Sequence, residues 1–118
     1  MDYKIIEKMN KKYIEINQVI NCESDILDII GICISNDTKL ILFREDTLSD
    51  EFINLKSGLA GIALQKFMNY NIKVSTIIDE DKMEGRFKEL VYELNKSNNF
   101  KVFDNSIDAE NWILNIKQ

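Results

Sequence analysis

Histidine and proline are both missing from this 118-residue chain, and glycine, cysteine and tryptophan number only four, two and one. Without histidine there is no Ser-His-Asp or Cys-His nucleophile, no imidazole proton shuttle and no His-ligated metal. Without proline a common marker of loops and linkers is gone. Cys22 and Cys33 lack the paired CxxC spacing of a zinc or redox site. They are expected as buried or half-buried thiols in a reducing cytoplasm. No apolar run approaches the roughly 20 residues that cross a bilayer. The opening MDYKIIEKMNKKY also lacks the apolar stretch of a signal peptide. A cytoplasmic protein without membrane association is therefore expected. Basic residues are outnumbered 15 to 20, giving a net charge of -5, which argues against nucleic-acid binding. Low-complexity tracts and internal repeats are absent too.

What is present suffices for a core. Hydrophobic residues make up 45% of the chain, enough for one domain over 1–118 without disulfides or metal. YKIIEKM and KYIEIN alternate as two strands, with Asn10-Lys11 as the turn of a hairpin. Ser24 suits an N-cap, and Ile26, Ile29, Ile30 and Cys33 recur at helical spacing, predicting a first helix over roughly 24–36. KLILFRE reads as a strand buried on both faces. Ser49 or Asp50 caps a short helical turn through Leu55, and GLAGIALQKFMNY continues as a helix. NIKVSTII is the next strand. Lys82–Asn98 is a helix with Phe87, Leu90, Val91 and Leu94 as its stripe. FKVF is a short strand, and a last helix starts at Ser106 and carries Ala109, Trp112, Ile113 and Ile116. The order β-β-α-β-α-β-α-β-α predicts an α/β fold: a mixed sheet with an N-terminal hairpin, then parallel strands joined by right-handed crossovers.

The helix after KLILFRE carries two glycines, Gly58 and Gly61. At about 100° per residue, Leu59, Ala60, Ala63, Leu64, Phe67, Met68 and Tyr70 share one arc, the expected core face. Gly58, Gly61, Gln65 and Asn69 fall on a narrow stripe opposite, with Ile62 and Lys66 beside them. An exposed helical glycine costs about 1 kcal/mol relative to alanine. Close approach of another backbone or an anion to this stripe would explain the pair; a relaxed first turn at Gly58 and tolerated drift at Gly61 would explain it equally. Ser57 sits where an N-cap belongs, at the carboxyl edge of the sheet, where ligands bind α/β proteins. Its hydroxyl is a cap or a phosphorylation site, since a helix N-terminus favours a phosphate.

EFINLKSGLAGIALQKFMNYNIKV, the helix ending YELNKSNN, and KVFDNSIDAENW together carry a resemblance. They are similar to a family of small bacterial proteins known only as domain of unknown function family 4180, over roughly Ile26 to Trp112. That family implies no activity. Where its members tend to have Gly-Asp-Phe after the fourth strand, this chain has Asp79-Glu80-Asp81. Ser57-Gly58-Leu59, at the start of a helix after a buried strand, also resembles the STAS domains of anti-anti-sigma factors. There the equivalent serine is a phosphorylation switch, and the order of elements is similar. Asn54, Leu55 and Lys56 stand where those proteins carry an aspartate before the serine.

Carboxylates form the other candidate group. Glu45 and Asp46 follow one strand, Asp79, Glu80 and Asp81 another, and Asp104 the last. A parallel sheet brings all three groups to one edge, where they could hold Mg²⁺ or share a proton; solvated loop charge is the plainer account. The P-loop and the Gly-rich Rossmann turn are absent, and no cofactor is expected. The leading expectation is a non-enzymatic, STAS-like regulatory domain. It binds a protein partner through Ser57, Gly58, Gly61, Gln65 and Asn69, with Ser57 phosphorylation as a control. The alternative is a small enzyme or Mg²⁺-dependent ligand binder using Asp46, Asp79 and Asp81. Self-association through the hairpin's edge strand is a third reading.

Overall fold

A computed structural model of the chain describes residues 1–79 and 88–116. Strands β1 (Tyr3–Lys8) and β2 (Lys11–Ile16) pair antiparallel from Tyr3↔Ile16 to Lys8↔Lys11. This register makes Met9 and Asn10 the loop residues, rather than Asn10 and Lys11. Both have positive φ, 54° and 61°, as a two-residue type I′ turn requires. Helix α1 (Glu23–Ser35) buries Ile26, Ile29, Ile30 and Cys33, as its spacing predicts. Its cap differs from expectation. Cys22 holds the N-cap without a side-chain bond, Ser24 lies inside the first turn, and the Asp25 carboxylate accepts the Asn21 N–H at 2.9 Å.

Strand β3 (Leu40–Phe43) is buried on both faces. A short helix α2 (Asp50–Ile53), capped by Ser49, and a 3-10 turn (Leu55–Ser57) lead into α3 (Leu59–Asn69). Strand β4 (Lys73–Ile77), helix α4 (Lys88–Asn95), strand β5 (Phe100–Phe103) and helix α5 (Ser106–Leu114) complete the order. The predicted start of α4, from Lys82 through Phe87, lies outside the described residues, and the helix stops at Asn95, short of Asn98. No helix among the described residues is long and apolar enough to cross a membrane.

Helices α1 and α3 end in the same way. Asp37 and Asn71 adopt left-handed φ, 52° and 57°. Thr38 N–H bonds Cys33 O at 3.1 Å, and Ile72 N–H bonds Phe67 O at 2.8 Å. These are Schellman closures, built without glycine, and each turns the chain directly into the next strand.

The five strands lie in chain order, β1-β2-β3-β4-β5, with β2 to β5 parallel. Every crossover therefore steps the same way across the sheet. Right-handed connections of that kind put their helices on one face. That face holds the larger core, in which Ile14, Ile16, Ile41, Phe43, Val74 and Phe100 meet Ile26, Ile29, Phe52, Ala63, Phe67, Leu90 and Leu94. The opposite face belongs to α5, whose Ala109, Ile113 and Leu114 pack on Tyr13, Leu40, Leu42 and Ile77.

Polar bonds anchor α5. Ser75 Oγ donates to Ala109 O at 3.0 Å, inside the sheet-facing layer. The Tyr13 hydroxyl donates to the Glu110 carboxylate, which Lys8 Nζ also reaches at 3.0 Å. The Tyr13 bond, and secondarily Lys8, hold the Glu110 carboxyl below its ordinary value of 4.5, against a desolvation that pushes it up. Burial, reinforced by Glu110, pushes the Tyr13 phenol up. A depressed folded-state pKa contributes stability that is fully present above the unfolded value and is lost as pH falls through the folded one. Tyr13→Phe is expected to cost about 1.5–3 kcal/mol at neutral pH. It should also flatten the loss of stability below pH 4.5, as read from urea titrations at neutral and acid pH.

Candidate functional site

The carboxyl edge of the sheet is built from two loops sewn together. Ile20 forms an isolated parallel bridge with Leu48, and its N–H bonds Thr47 O at 2.8 Å. Thr47 Oγ1 donates to Ile16 O at 3.3 Å, and Ser49 Oγ donates to Ile20 O. Ser49 also accepts the Phe52 N–H at 3.1 Å, which starts α2. The segment after β3 is thus held to the segment after β2 before it turns into α3.

Ser57 closes this arrangement from within. Its hydroxyl lies 2.6 Å from Glu51 O and 2.8 Å from Asn54 O, and it accepts the Leu59 N–H at 3.2 Å. The N-cap of α3 is Gly58, not Ser57. Gly58 has φ 75° and ψ 0°, a left-handed conformation that costs a residue with a Cβ about 1–2 kcal/mol. Backbone geometry therefore accounts for the first glycine without any partner.

The second glycine has no such cause. Gly61 lies inside the α3 helix, and a Cβ built on it meets none of the described residues within 4 Å. Gly58, Gly61, Gln65 and Asn69 are all exposed, so the stripe lies on the solvent side as the helical spacing predicts. Gln65 Nε2 donates to Asn69 Oδ1 at 3.1 Å along it. The core arc is narrower than predicted. Leu59, Ala60, Ala63 and Phe67 are buried and Leu64 half-buried, but Met68 and Tyr70 are 46% and 50% exposed. Tyr70 is the C-cap, where helical projection stops applying, and Met68 sits at the rim of the arc.

Among the described residues the carboxylates do not assemble into a metal site. Glu45 pairs with Arg44 at 3.2 Å, and Arg44 also reaches Glu15 at 3.5 Å. Asp104 accepts from the Asn105 side chain at 2.7 Å. Asp46 has a left-handed φ of 67° and is engaged in further interaction, and Asp79 is exposed. Glu80 and Asp81 lie outside the described residues. Among the described residues, no three of Asp, Glu and Cys come together to hold a metal ion. The thiols differ from each other: Cys22 is exposed rather than buried, while burial pushes Cys33 up to about 12 and keeps it inert.

Two features escape the sequence reading. Thr76 is fully buried, and its Oγ1 has no hydrogen-bond partner among the described residues. It lies across from Phe43 and Val102 in the register, so its hydroxyl faces the larger core. An open groove of about 690 Å³ also separates the C-terminal ends of α1 and α3, lined by Ile34, Asp37, Lys39, Asn69 and Tyr70 among others. Only proximity in the fold creates it, because its two walls are at least 30 residues apart in sequence.

These observations define a small α/β domain with a mixed sheet, helices on both faces and a serine-glycine turn at its carboxyl edge. Residues 8–113 match the family described as Domain of unknown function (DUF4180), and the chain belongs to that family. No curated protein and no solved structure matches it.

The two glycines should separate on substitution. Gly58→Ala is expected to destabilise by about 1–2 kcal/mol, whereas Gly61→Ala should stabilise by about 0.5–1 kcal/mol, both read from urea midpoints. Thr76→Val, which removes an unpartnered buried hydroxyl, should stabilise by about 1 kcal/mol in the same assay.

Proposed function

We propose that this chain is a non-enzymatic, STAS-like regulatory domain of the bacterial cytoplasm. It binds a protein partner through the face made by Ser57, Gly58, Gly61, Gln65 and Asn69. Gly61 is the observation that carries the reading. It weakens its own helix, none of the described residues occupies the space a side chain would fill, and it lies in line with an exposed amide pair. A flat, glycine-floored stripe lets a partner's backbone come close, and Gln65 and Asn69 retain hydrogen-bonding capacity for it.

The STAS-like part of the proposal is supported by the hairpin, the parallel β-α units that follow it and the Ser57-Gly58-Leu59 turn after a buried strand. Phosphorylation of Ser57 is the proposed control. It would take away the hydrogen that the hydroxyl gives to Glu51 O or Asn54 O. It would also place about -1.5 to -2 of charge beside those carbonyls. The turn that aims α3 would loosen, and the binding face with it.

The test uses the wild-type protein and Gly61→Gln as baits against an extract of its source organism. A partner held by the wild type is expected to bind Gly61→Gln at least about tenfold more weakly, with no fall in melting temperature. Equal binding by both baits would set this face aside.

A further inference from the structure

The two edges of the sheet are not alike. In β1, Asp2 O accepts the Asn17 N–H at 3.1 Å, and the hairpin closes on the Lys8↔Lys11 pair. Antiparallel bonding alternates along a strand. Asp2, Lys4, Ile6 and Lys8 therefore bond to β2, and Tyr3, Ile5 and Glu7 turn their N–H and C=O groups outward. The register runs from Tyr3 to Lys8 without a bulge, and the chain has no proline, so two of the devices that blunt an edge are missing and only the charges of Lys4, Glu7 and Lys8 guard it. Tyr3 and Ile5 are 38% and 45% exposed. Beside Tyr3 runs a shallow groove against α1, lined by Met1, Leu27 and Gly31. The β5 edge is shorter, at four residues, and one of its outward amides is taken. Val74 N–H bonds Asn99 O and Ile78 N–H bonds Phe103 O, so Val102 points outward, and its N–H goes to Asn95 Oδ1 at 2.9 Å.

We propose that the β1 edge binds a second copy of this chain, β1 against β1 in antiparallel pairing, about a two-fold axis through Ile5. A two-fold axis normal to the sheet keeps its faces, so only residues an even number of positions apart, or the same residue, can lie opposite one another. With the axis at Ile5, Ile5 meets the partner's Ile5 and Tyr3 meets the partner's Glu7, twice. Every outward residue of the strand then exchanges both its bonds, about six in all. With the axis at Lys4 or Ile6, only about four bonds form within the strand.

Charge selects the same register. The Ile5 axis sets Asp2 opposite the partner's Lys8, adding a carboxylate to a lysine that already holds Glu110. The Ile6 axis would set Lys4 against the partner's Lys8, and the Lys4 axis would set Lys4 against itself. Like charges directly opposite are destabilising. One edge-to-edge contact is small beside a standard interface of about 1,600 Å², so the dimer forms as concentration rises.

Sedimentation of the full chain up to millimolar concentration, with oxidative crosslinking of single-cysteine variants in a Cys22→Ser background, tests this. The wild type is expected to shift from monomer to dimer. Ile5→Lys, at an exposed position, is expected to weaken the dimer at least about tenfold while keeping its melting temperature. Ile5→Cys should crosslink, because residues facing across a bonded pair have Cα atoms about 5.5 Å apart; Lys4→Cys and Ile6→Cys should not. A wild type that stays monomeric, a dimer indifferent to Ile5→Lys, or crosslinking from position 4 or 6 in place of 5 would each overturn the proposal.

Discussion

The docking of α5 onto the second face of the sheet is the constraint on which the rest depends. Strands that follow chain order send every crossover to one side. Among the described residues, the other side of β2, β3 and β4 is then left to one nine-residue helix. Apolar contact through Ala109 and Ile113 supplies most of its attachment, but burial does not set its direction. Direction comes from Ser75 under Ala109 at one strand, and from Glu110 held by Tyr13 and Lys8 at the hairpin. Because Glu110 joins the hairpin to the last helix, the first and last elements of the chain stabilise each other. Such closure over long sequence separation comes at an entropy cost that grows only slowly with loop length.

The carboxyl edge works on a different principle. The segment from Arg44 to Ser57 buries Leu48, Phe52 and Ile53 in the larger core, and hydroxyls fix the path of its backbone. Thr47, Ser49 and Ser57 each donate to a backbone carbonyl of another segment or turn. A hydroxyl that satisfies a backbone carbonyl costs little to break and re-form, since water can replace it. The α3 stripe projects from this part of the molecule.

Much of the fold was legible. Apolar periodicity places α1 and α5 to within a residue or two and marks β3 as buried on both faces. The hairpin and the alternation that follows set the parallel topology. The misses share a cause: the residue that adopts an unusual backbone shape is not the one whose type advertises it. Asp37 and Asn71 do the work of glycine at helix ends because their short polar side chains tolerate left-handed φ. Met9 enters the turn because the register of β1 on β2 requires it. Ser57 looks like a cap, yet Gly58 is forced into that position by the 3-10 turn before it. The candidate stripe was visible because helical geometry is local. The unpartnered hydroxyl of Thr76, the groove between α1 and α3 and the scattering of the carboxylates are products of tertiary placement, and no local pattern announces them.

One small contact sets the reach of any assembly. Asn95, at the end of α4, fills the outward-facing Val102 amide of β5 with its side-chain oxygen. A sheet with two open margins can add copies without limit, head to tail, into a fibril. A sheet with one sealed margin can be extended only from the other, and a single addition there uses it up. The asparagine thus takes up a bonding group of the β5 margin, and the pairing proposed for β1, being two-fold, would end at a closed pair.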